Sequence, residues 1–277
     1  MMTSSRQIAV RRQARPGWAA IDFAELWRYR ELVIFYAIRD IKVRYKQTLL
    51  GASWAILQPV LTMVVFSIFF GHLAGVPSDG IPYPLFAYCG LVPWQLFAYA
   101  LTQSSNRIVE DAGVITKVYF PRLIVPLASV IAGLVDFAIA FGVLAAMMFY
   151  YGVTPGWAML TLPLFTLLAL MAALAVGLWL SALNVRYHDV RYTIPFLTQL
   201  WLFVTPVAYS SSLVPLKWQA LYGINPMAGV VNGFRWALLG STSPGPILFV
   251  SVAATAVLLI GGLYYFRTME KSFADNI

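Results

Sequence analysis

The chain has 277 residues, of which 60% are apolar and only 11% are charged, and its mean hydropathy is +0.75. A soluble globular domain carries about 25% charged residues, so the composition excludes one. The net charge of +8 does not indicate nucleic acid as a partner, because the charges lie at the borders of apolar segments. These features predict an all-α membrane protein.

Residues 1–21 contain Arg6, Arg11, Arg12 and Arg15 among small and polar residues, which predicts a disordered cytoplasmic tail near anionic lipid headgroups. Residues 22–48 show a helical period of apolar residues and predict an amphipathic interface helix along the cytoplasmic membrane surface. The apolar positions are Phe23, Trp27, Ile34, Ile38, Ile41 and Tyr45. The candidate basic residues of this helix are Arg39, Lys42, Arg44 and Lys46.

Six segments are apolar enough to cross a hydrocarbon core of about 30 Å, which takes roughly 20 helical residues. They lack the alternating period of barrel strands, so we expect helices. The spans are placed near 50–73, 85–104, 122–151, 157–183, 192–210 and 245–266. They form one transmembrane domain, 49–267, followed by a cytoplasmic tail, 268–277.

The distribution of basic residues predicts the orientation of these spans. With the N-terminus inside, 17 of the 19 Lys and Arg residues fall on the cytoplasmic side, and only Lys217 and Arg235 fall outside. The positive-inside rule therefore predicts that both termini are cytoplasmic.

The loop after the second span, 104–126, predicts a short charged helix in the cytoplasm that docks a partner. Ser104, Ser105 or Asn106 could cap it, and Pro121 would prevent its continuation. The candidate contact residues are Asn106, Arg107, Glu110, Asp111 and Lys117. A third cytoplasmic motif, NVRYHDVRY, begins at Asn184 between the fourth and fifth spans.

On the external side, residues 210–244 include the segment INPMAGVVNGFRWALLG, which is too short and too interrupted to span the membrane. It predicts interfacial or re-entrant helices that narrow an exit, with Asn225, Pro226 and Arg235 as candidate gate residues. A simple surface loop is the alternative.

Aromatic and amide side chains recur along the first, second and fifth spans, where rings can stack on a ligand and amides can exchange hydrogen bonds with it. Any single ring could instead face lipid. The candidate path residues are Trp54, Gln58, Trp94, Phe97, Trp201, Phe203 and Tyr209.

The sequence contains no HExxH motif, catalytic triad pattern or GxxxxGK[ST] nucleotide loop, so we expect a protein that is not an enzyme. One cysteine, Cys89, and two distant histidines, His72 and His188, predict no metal site. Asp136 is the one ionisable residue near the middle of a span, and could relay protons or hold helices together.

Four motifs stand out along the chain: RDIKVRYKQTLLGASW from Arg39 with Gln58-Pro59, KVYFPRLIVP from Lys117, NVRYHDV from Asn184 and INP at Ile224. Together they resemble the type 2 ABC exporter permeases for polysaccharides. The resemblance covers essentially the whole chain. It implies a bacterial inner-membrane subunit that exports a lipid-linked polysaccharide, with O-antigen expected and capsule or teichoic acid as variants.

The resemblance also implies a homodimer bound to two ATP-binding cassette subunits, which would carry ATP and Mg, so this chain needs no cofactor of its own. It implies that 106–116 is the coupling helix and that the channel lies at the dimer interface, lined largely by the first, second and fifth spans, whose aromatic and amide side chains suit a carbohydrate. Three alternatives stay open: a drug or lipid exporter of the same architecture, a membrane glycosyl- or acyltransferase, and an ion-coupled transporter using Asp136.

Overall fold

A computed structural model describes residues 23–46, 53–118, 120–270 and 273. Within these ranges the chain forms helices joined by turns, and no strand occurs among them. The tail predicted at 1–21 lies outside the described residues, as do 271, 272 and 274–277 of the tail predicted at 268–277. The all-α fold class is confirmed.

The helices follow one another with short connections. They are α1 (Phe23–Arg28), α2 (Arg30–Lys46), α3 (Ser53–Phe66), α4 (Tyr83–Glu110), α5 (Ala112–Ile115), α6 (Ile124–Tyr150), α7 (Leu162–Arg186), α8 (Val190–Val204), α9 (Leu216–Tyr222), α10 (Pro226–Leu239) and α11 (Gly245–Glu270). A π-helical segment, Ser67–Leu73, extends α3, and short 3₁₀ turns, Trp157–Thr161 and Ser211–Leu213, precede α7 and α9.

Five helical segments among the described residues are long and apolar enough to cross a membrane, which makes this a multi-pass membrane protein. They are Ser53–Leu73, Tyr83–Glu110, Ile124–Tyr150, Trp157–Arg186 and Gly245–Glu270. Each matches a predicted span in position. The second runs six residues beyond its predicted end at residue 104, because no helix breaker follows that position.

The predicted span at 192–210 is not such a helix, so the count of six is not confirmed. Helix α8 has 15 residues, about 22 Å, and ends at Val204. Thr205 is extended, with φ −87° and ψ 142°, because a residue that precedes a proline avoids the helical region. Pro206 therefore ends the helix, and the chain continues to Ser210 without helical hydrogen bonds.

Helix α4 is the centre of the bundle and packs against α6, α7 and α10. Of its most apolar 18 residues 78% are buried, compared with 11% for the segment that contains α3. Helix α8 is also peripheral, since Ile194 is its one buried residue. Helices α3 and α8 touch through the rings of Phe66 and Phe203, whose centroids are 6.4 Å apart.

The predicted interface helix is divided at Tyr29, and its second part, α2, packs along α6. Tyr36 is buried against the ring of Phe120, whereas Ile34 and Ile38 of the predicted apolar face stay exposed. The C-terminal turn of α2 reaches Asp136, about 18 Å along α6 from its start. The helix is therefore inclined along the bundle, which differs from the predicted course along the membrane surface.

Helices α9 and α10 form a hairpin whose vertex is at residues 223–225. The hydroxyl of Ser251 donates to the carbonyl oxygens of Gly223 at 2.9 Å and Asn225 at 3.1 Å, and accepts from the amide of Gly229 at 3.2 Å. Ser251 is six residues, about 9 Å, inside α11. The geometry favours the re-entrant alternative over a surface loop.

Candidate functional site

Two arginines and two aspartates from α2 and the end of α4 form a connected group, which we call the basic-end cluster: Arg39, Asp40, Arg107 and Asp111. Arg39 Nη2 is 2.6 Å from Asp111 Oδ2 and 3.0 Å from Asp40 Oδ1. Arg107 donates to both carboxylate oxygens of Asp40. The cluster joins residues 72 apart in sequence, and it fixes α2 to the end of α4 that is predicted to lie in the cytoplasm.

Burial makes these contacts strong. The Asp40 side chain is only 4% exposed, and the others range from 13% to 28%. Burial alone disfavours the charged form of Arg39, but the hydrogen bonds and charges of Asp111 and Asp40 outweigh it and raise the pKa of Arg39 above its ordinary value. Charge-assisted hydrogen bonds of this kind are roughly twice as strong as neutral ones.

The separate coupling helix predicted at 106–116 is wrong in its boundaries. Helix α4 continues to Glu110, and only one further turn, Ala112–Ile115, follows. The hydroxyls of Ser104 and Ser105 do not cap a new helix but donate to the carbonyl oxygen of Leu101 within α4.

The predicted docking residues fall into two groups. Arg107 and Asp111 are occupied inside the basic-end cluster, and Glu110, although it accepts from Arg107 at 2.8 Å, is half exposed. Lys117 is exposed, together with Gly113, Val114, Thr116 and Val118. These six exposed residues, 110, 113, 114 and 116–118, are called the exposed tip.

Asn106 lies beneath the exposed tip and binds the third cytoplasmic motif. The buried amide Nδ2 of Asn184 donates to Asn106 Oδ1 at 3.0 Å and to the carbonyl oxygen of Ser105 at 3.1 Å. The three cytoplasmic motifs, which lie far apart in the sequence, therefore meet at one end of the bundle.

Asp136 is not isolated in its span. Its carboxylate accepts hydrogen bonds from Arg44 and from the hydroxyl of Tyr45, and the guanidinium of Arg44 lies 3.7 Å from the ring centroid of Tyr99. Arg44 was predicted as an interface residue, and the structure assigns it a partner inside the bundle. Lys42 and Lys46 remain exposed on α2. A proton relay is disfavoured, since the carboxylate is already paired with a cation.

Arg44 and Asp136 line a groove of about 480 Å³ between α2, α3, α4 and α6. Of the predicted path residues, Trp54, Gln58 and Trp94 line it too. Its other polar residues are Tyr45, Thr62, Gln95, Tyr99, Thr102 and Gln103. The groove combines aromatic and amide groups, as the path hypothesis requires.

The remaining path residues are placed differently. Phe97 is fully buried and packs between Trp94 and Trp201, with ring centroids 5.3 Å and 5.1 Å away. Phe203 is half exposed. Tyr209 shares a hydrogen bond of 2.7 Å with the hydroxyl of Tyr222. Phe97 is thus a core residue in the single chain, whereas Phe203 is accessible.

Arg235 is buried at the opposite end of the bundle. Its guanidinium donates to the carbonyl oxygens of Pro206 at 2.5 Å, Val207 at 2.7 Å and Tyr209 at 3.2 Å, and more weakly to that of Phe86 at 3.4 Å. It also lies 3.5 Å from the ring centroid of Phe86. Arg235 therefore satisfies the carbonyl groups that the helix break at Pro206 leaves unpaired.

Asn225 and Pro226 begin α10 as a capped helix start. The Asn225 carboxamide oxygen accepts from the amide of Met227 at 3.1 Å and from Trp201 Nε1 at 2.9 Å, and its Nδ2 donates to Thr205 at 3.0 Å. Pro226 occupies the first turn, where its missing N–H costs nothing. The vertex of the hairpin is thereby bonded to the end of α8.

In the described part of the chain, no three His, Cys, Asp or Glu side chains are grouped in a way that could hold a metal ion.

The sequence pattern did not identify Asp40 as a site residue, although its position four residues after Tyr36 puts both on the same face of α2. A carboxylate on an otherwise apolar and basic face is the signal that could have identified it.

The chain matches one known protein family and several proteins that are named for transport. The family profile described as ABC-2 type transporter matches residues 31–239. The chain is 29% identical over 257 residues to the O-antigen export system permease protein RfbA of Myxococcus xanthus, covering 91% of this chain and 98% of that one. It is 28% identical to the protein of the same name from Klebsiella pneumoniae, covering 88% and 94%. It is 25% identical to the polysialic acid transport protein KpsM of Escherichia coli, covering 86% and 93%.

Replacing the carboxylate at the centre of the basic-end cluster tests its contribution to stability. We expect Asp40→Asn to lower the free energy of unfolding by about 2 kcal/mol, because Arg39 and Arg107 both lose a charged acceptor. Thermal unfolding of the purified protein in detergent, followed by tryptophan fluorescence, measures the change. Glu31→Gln, at an exposed position of the same helix, is the control. Equal unfolding midpoints for the two variants would contradict the assignment.

Replacing Arg235 tests its role as the hydrogen-bond partner of the carbonyl oxygens of Pro206, Val207 and Tyr209. Lysine keeps the charge but lacks the planar fork that serves several carbonyl oxygens, so Arg235→Lys should destabilise the protein by about 2 kcal/mol. Amide hydrogen exchange should rise in residues 205–213, where the backbone loses its partner. Arg186→Lys, at an exposed arginine, should change neither quantity, and an unchanged exchange rate in the Arg235 variant would refute the role.

Proposed function

Because the chain belongs to the ABC-2 type transporter family, we propose that it is the permease subunit of an ATP-driven exporter that moves a lipid-linked polysaccharide out of the cell. The near end-to-end similarity to permeases named for O-antigen export and polysialic acid transport carries this proposal. O-antigen is the polymer we favour, since the RfbA proteins share the higher identity. The bacterial inner membrane is the corresponding location, with the basic end cytoplasmic.

The energy for transport would come from a partner, because the sequence has no nucleotide-binding loop. In this proposal two ATP-binding cassette subunits bind ATP and Mg and dock on the exposed tip. The tip offers two charges, Glu110 and Lys117, beside two apolar side chains, Val114 and Val118, which are 41% and 57% exposed. Such a mixture suits a docking surface of moderate polarity.

The basic-end cluster connects that docking surface to α2. A push on the tip acts directly on the end of α4, and the ion pairs of Arg39 and Arg107 pass it to α2. Further along α2, the pair of Arg44 with Asp136 passes it to α6. Closure of the partner subunits would thereby move α2 together with two central helices, which is a rigid-body form of coupling.

A homodimer would complete the path. Helices α3 and α8 are peripheral, and their exposed faces include the amides of Gln58 and Gln199. An amide that faces only lipid is costly, so these faces are better placed against a second copy or an aqueous path. Export would then follow the surface between the two copies, where Trp54, Gln58 and Phe203 are accessible.

The proposal is tested in cells that lack the gene for this chain. We expect surface polysaccharide to disappear and lipid-linked polymer to accumulate in the inner leaflet, and the wild-type gene to restore export. Immunoblotting of surface polymer and extraction of the intracellular intermediate measure the two pools. Normal surface polymer in the deletion strain would overturn the proposed function.

Two lysines provide a matched test of docking. Lys117→Glu reverses a charge on the exposed tip, whereas Lys217→Glu reverses one on the opposite face of the molecule. We expect the amount of ATPase subunit that co-purifies with Lys117→Glu to fall by at least about tenfold, because like charges then meet at the interface. The amount that co-purifies with Lys217→Glu should stay unchanged. Equal recovery of the ATPase with both variants would show that the tip is not the docking site.

A further inference from the structure

A second cavity, of about 520 Å³, lies at the end of the bundle that carries Arg235. Its walls are the loop before α4, the segment between α8 and α9, one face of α10 and the connection to α11. Six hydroxyl-bearing residues line it: Ser210, Ser211, Ser212, Ser241, Thr242 and Ser243. No aromatic residue is among the described residues that line it, which distinguishes it from the groove beside Asp136.

One wall contains a polar group that the protein leaves unpaired. Asn232 lines the cavity and is 7% exposed, and its side-chain Nδ2 has no hydrogen-bond partner within the described part of the chain. A buried donor without an acceptor is destabilising, and native proteins keep few of them. An acceptor supplied by a ligand at this wall would complete its hydrogen bonding.

The charges of the walls indicate which kind of ligand fits. Asp79 lines one side, where it accepts from Ser210 at 2.5 Å and Ser212 at 3.1 Å, and Arg235 lines another. The opposite charges balance, so neither an anion nor a cation is favoured. Hydroxyls and amides can both donate and accept, which matches a ligand that does the same with many hydroxyl groups.

We propose that this cavity binds a neutral sugar unit of the exported polymer as it leaves the membrane. The inference rests on the proposed function, since it takes its ligand from the exported chain. Hydrogen bonds without aromatic stacking give weak binding, which a polymer passing through requires, because a tight site would stop it. Asn232 and Arg235 are three residues apart on α10, so a bound sugar contacts the re-entrant hairpin itself.

Cysteine labelling of the purified full chain tests this site directly. The one native cysteine, Cys89, is fully buried, so an introduced thiol at an exposed position is labelled selectively. Thr242→Cys places a thiol at the cavity, and Thr154→Cys places one on an exposed loop at the same end, outside the cavity. The probe is the oligosaccharide released by mild acid from the surface polysaccharide of the producing bacterium.

The oligosaccharide should slow maleimide labelling at position 242 and leave position 154 unchanged. In the Thr242→Cys background, Asn232→Leu should weaken the apparent affinity by about fivefold, the effect of one lost hydrogen bond. Ser212→Ala is a second, milder variant that should weaken it in the same direction. Equal labelling with and without oligosaccharide, or protection unaffected by both variants, would overturn the proposal.

Inorganic phosphate at the same concentration separates a sugar from an anion. Protection by phosphate but not by the oligosaccharide would also overturn the proposal. Failure of this site can be told from failure of the proposed function, because export would then still depend on the gene while labelling at position 242 stayed unprotected.

Discussion

Arg235 binds the carbonyl oxygens of Pro206, Val207 and Tyr209 at the point where the chain leaves α8 and continues without helical hydrogen bonds. The carbonyl groups of this segment have no partner within a helix, so they need one elsewhere in the protein. The guanidinium supplies several donors in one plane. The same residue lies on α10, and it thereby fixes the hairpin of α9 and α10 to the segment that follows α8.

The opposite end of the bundle depends on charges in a different way. There the basic-end cluster pairs each guanidinium with a carboxylate, and it connects helices instead of capping a break. Arg44 and Asp136 add a second connection further along α2. In the proposed mechanism a force applied at the exposed tip would reach α2 and α6 through these ion pairs, while the core around α4 stays closely packed. This division suits a subunit that must move at one end and keep its shape in between.

Much of the fold could be predicted from the sequence, because apolar length is a strong signal. The positions of five apolar helices follow from hydropathy, and the helical period of residues 22–48 predicts a helix there but not its division at Tyr29 or its course along α6. The end of α8 was missed, since hydropathy continues to residue 210 and only the pair Thr205-Pro206 marks the break. The pairing of Arg39 with Asp111 was also out of reach, because charge patterns predict surfaces and not contacts between residues 72 apart. Phe97 was predicted to line the path but is buried in the core, because an aromatic residue in a span can equally pack against other helices.

Reconstitution tests the central claim, that this chain moves a polymer with energy supplied by a partner at its basic end. The chain and its co-purified ATPase subunit are placed in proteoliposomes that hold the lipid-linked polymer, and a lectin on the far side of the membrane detects the polymer that has crossed. We predict transfer that requires ATP hydrolysis, stops with a non-hydrolysable ATP analogue and ignores an imposed proton gradient. Transfer driven by the proton gradient without ATP would contradict the account.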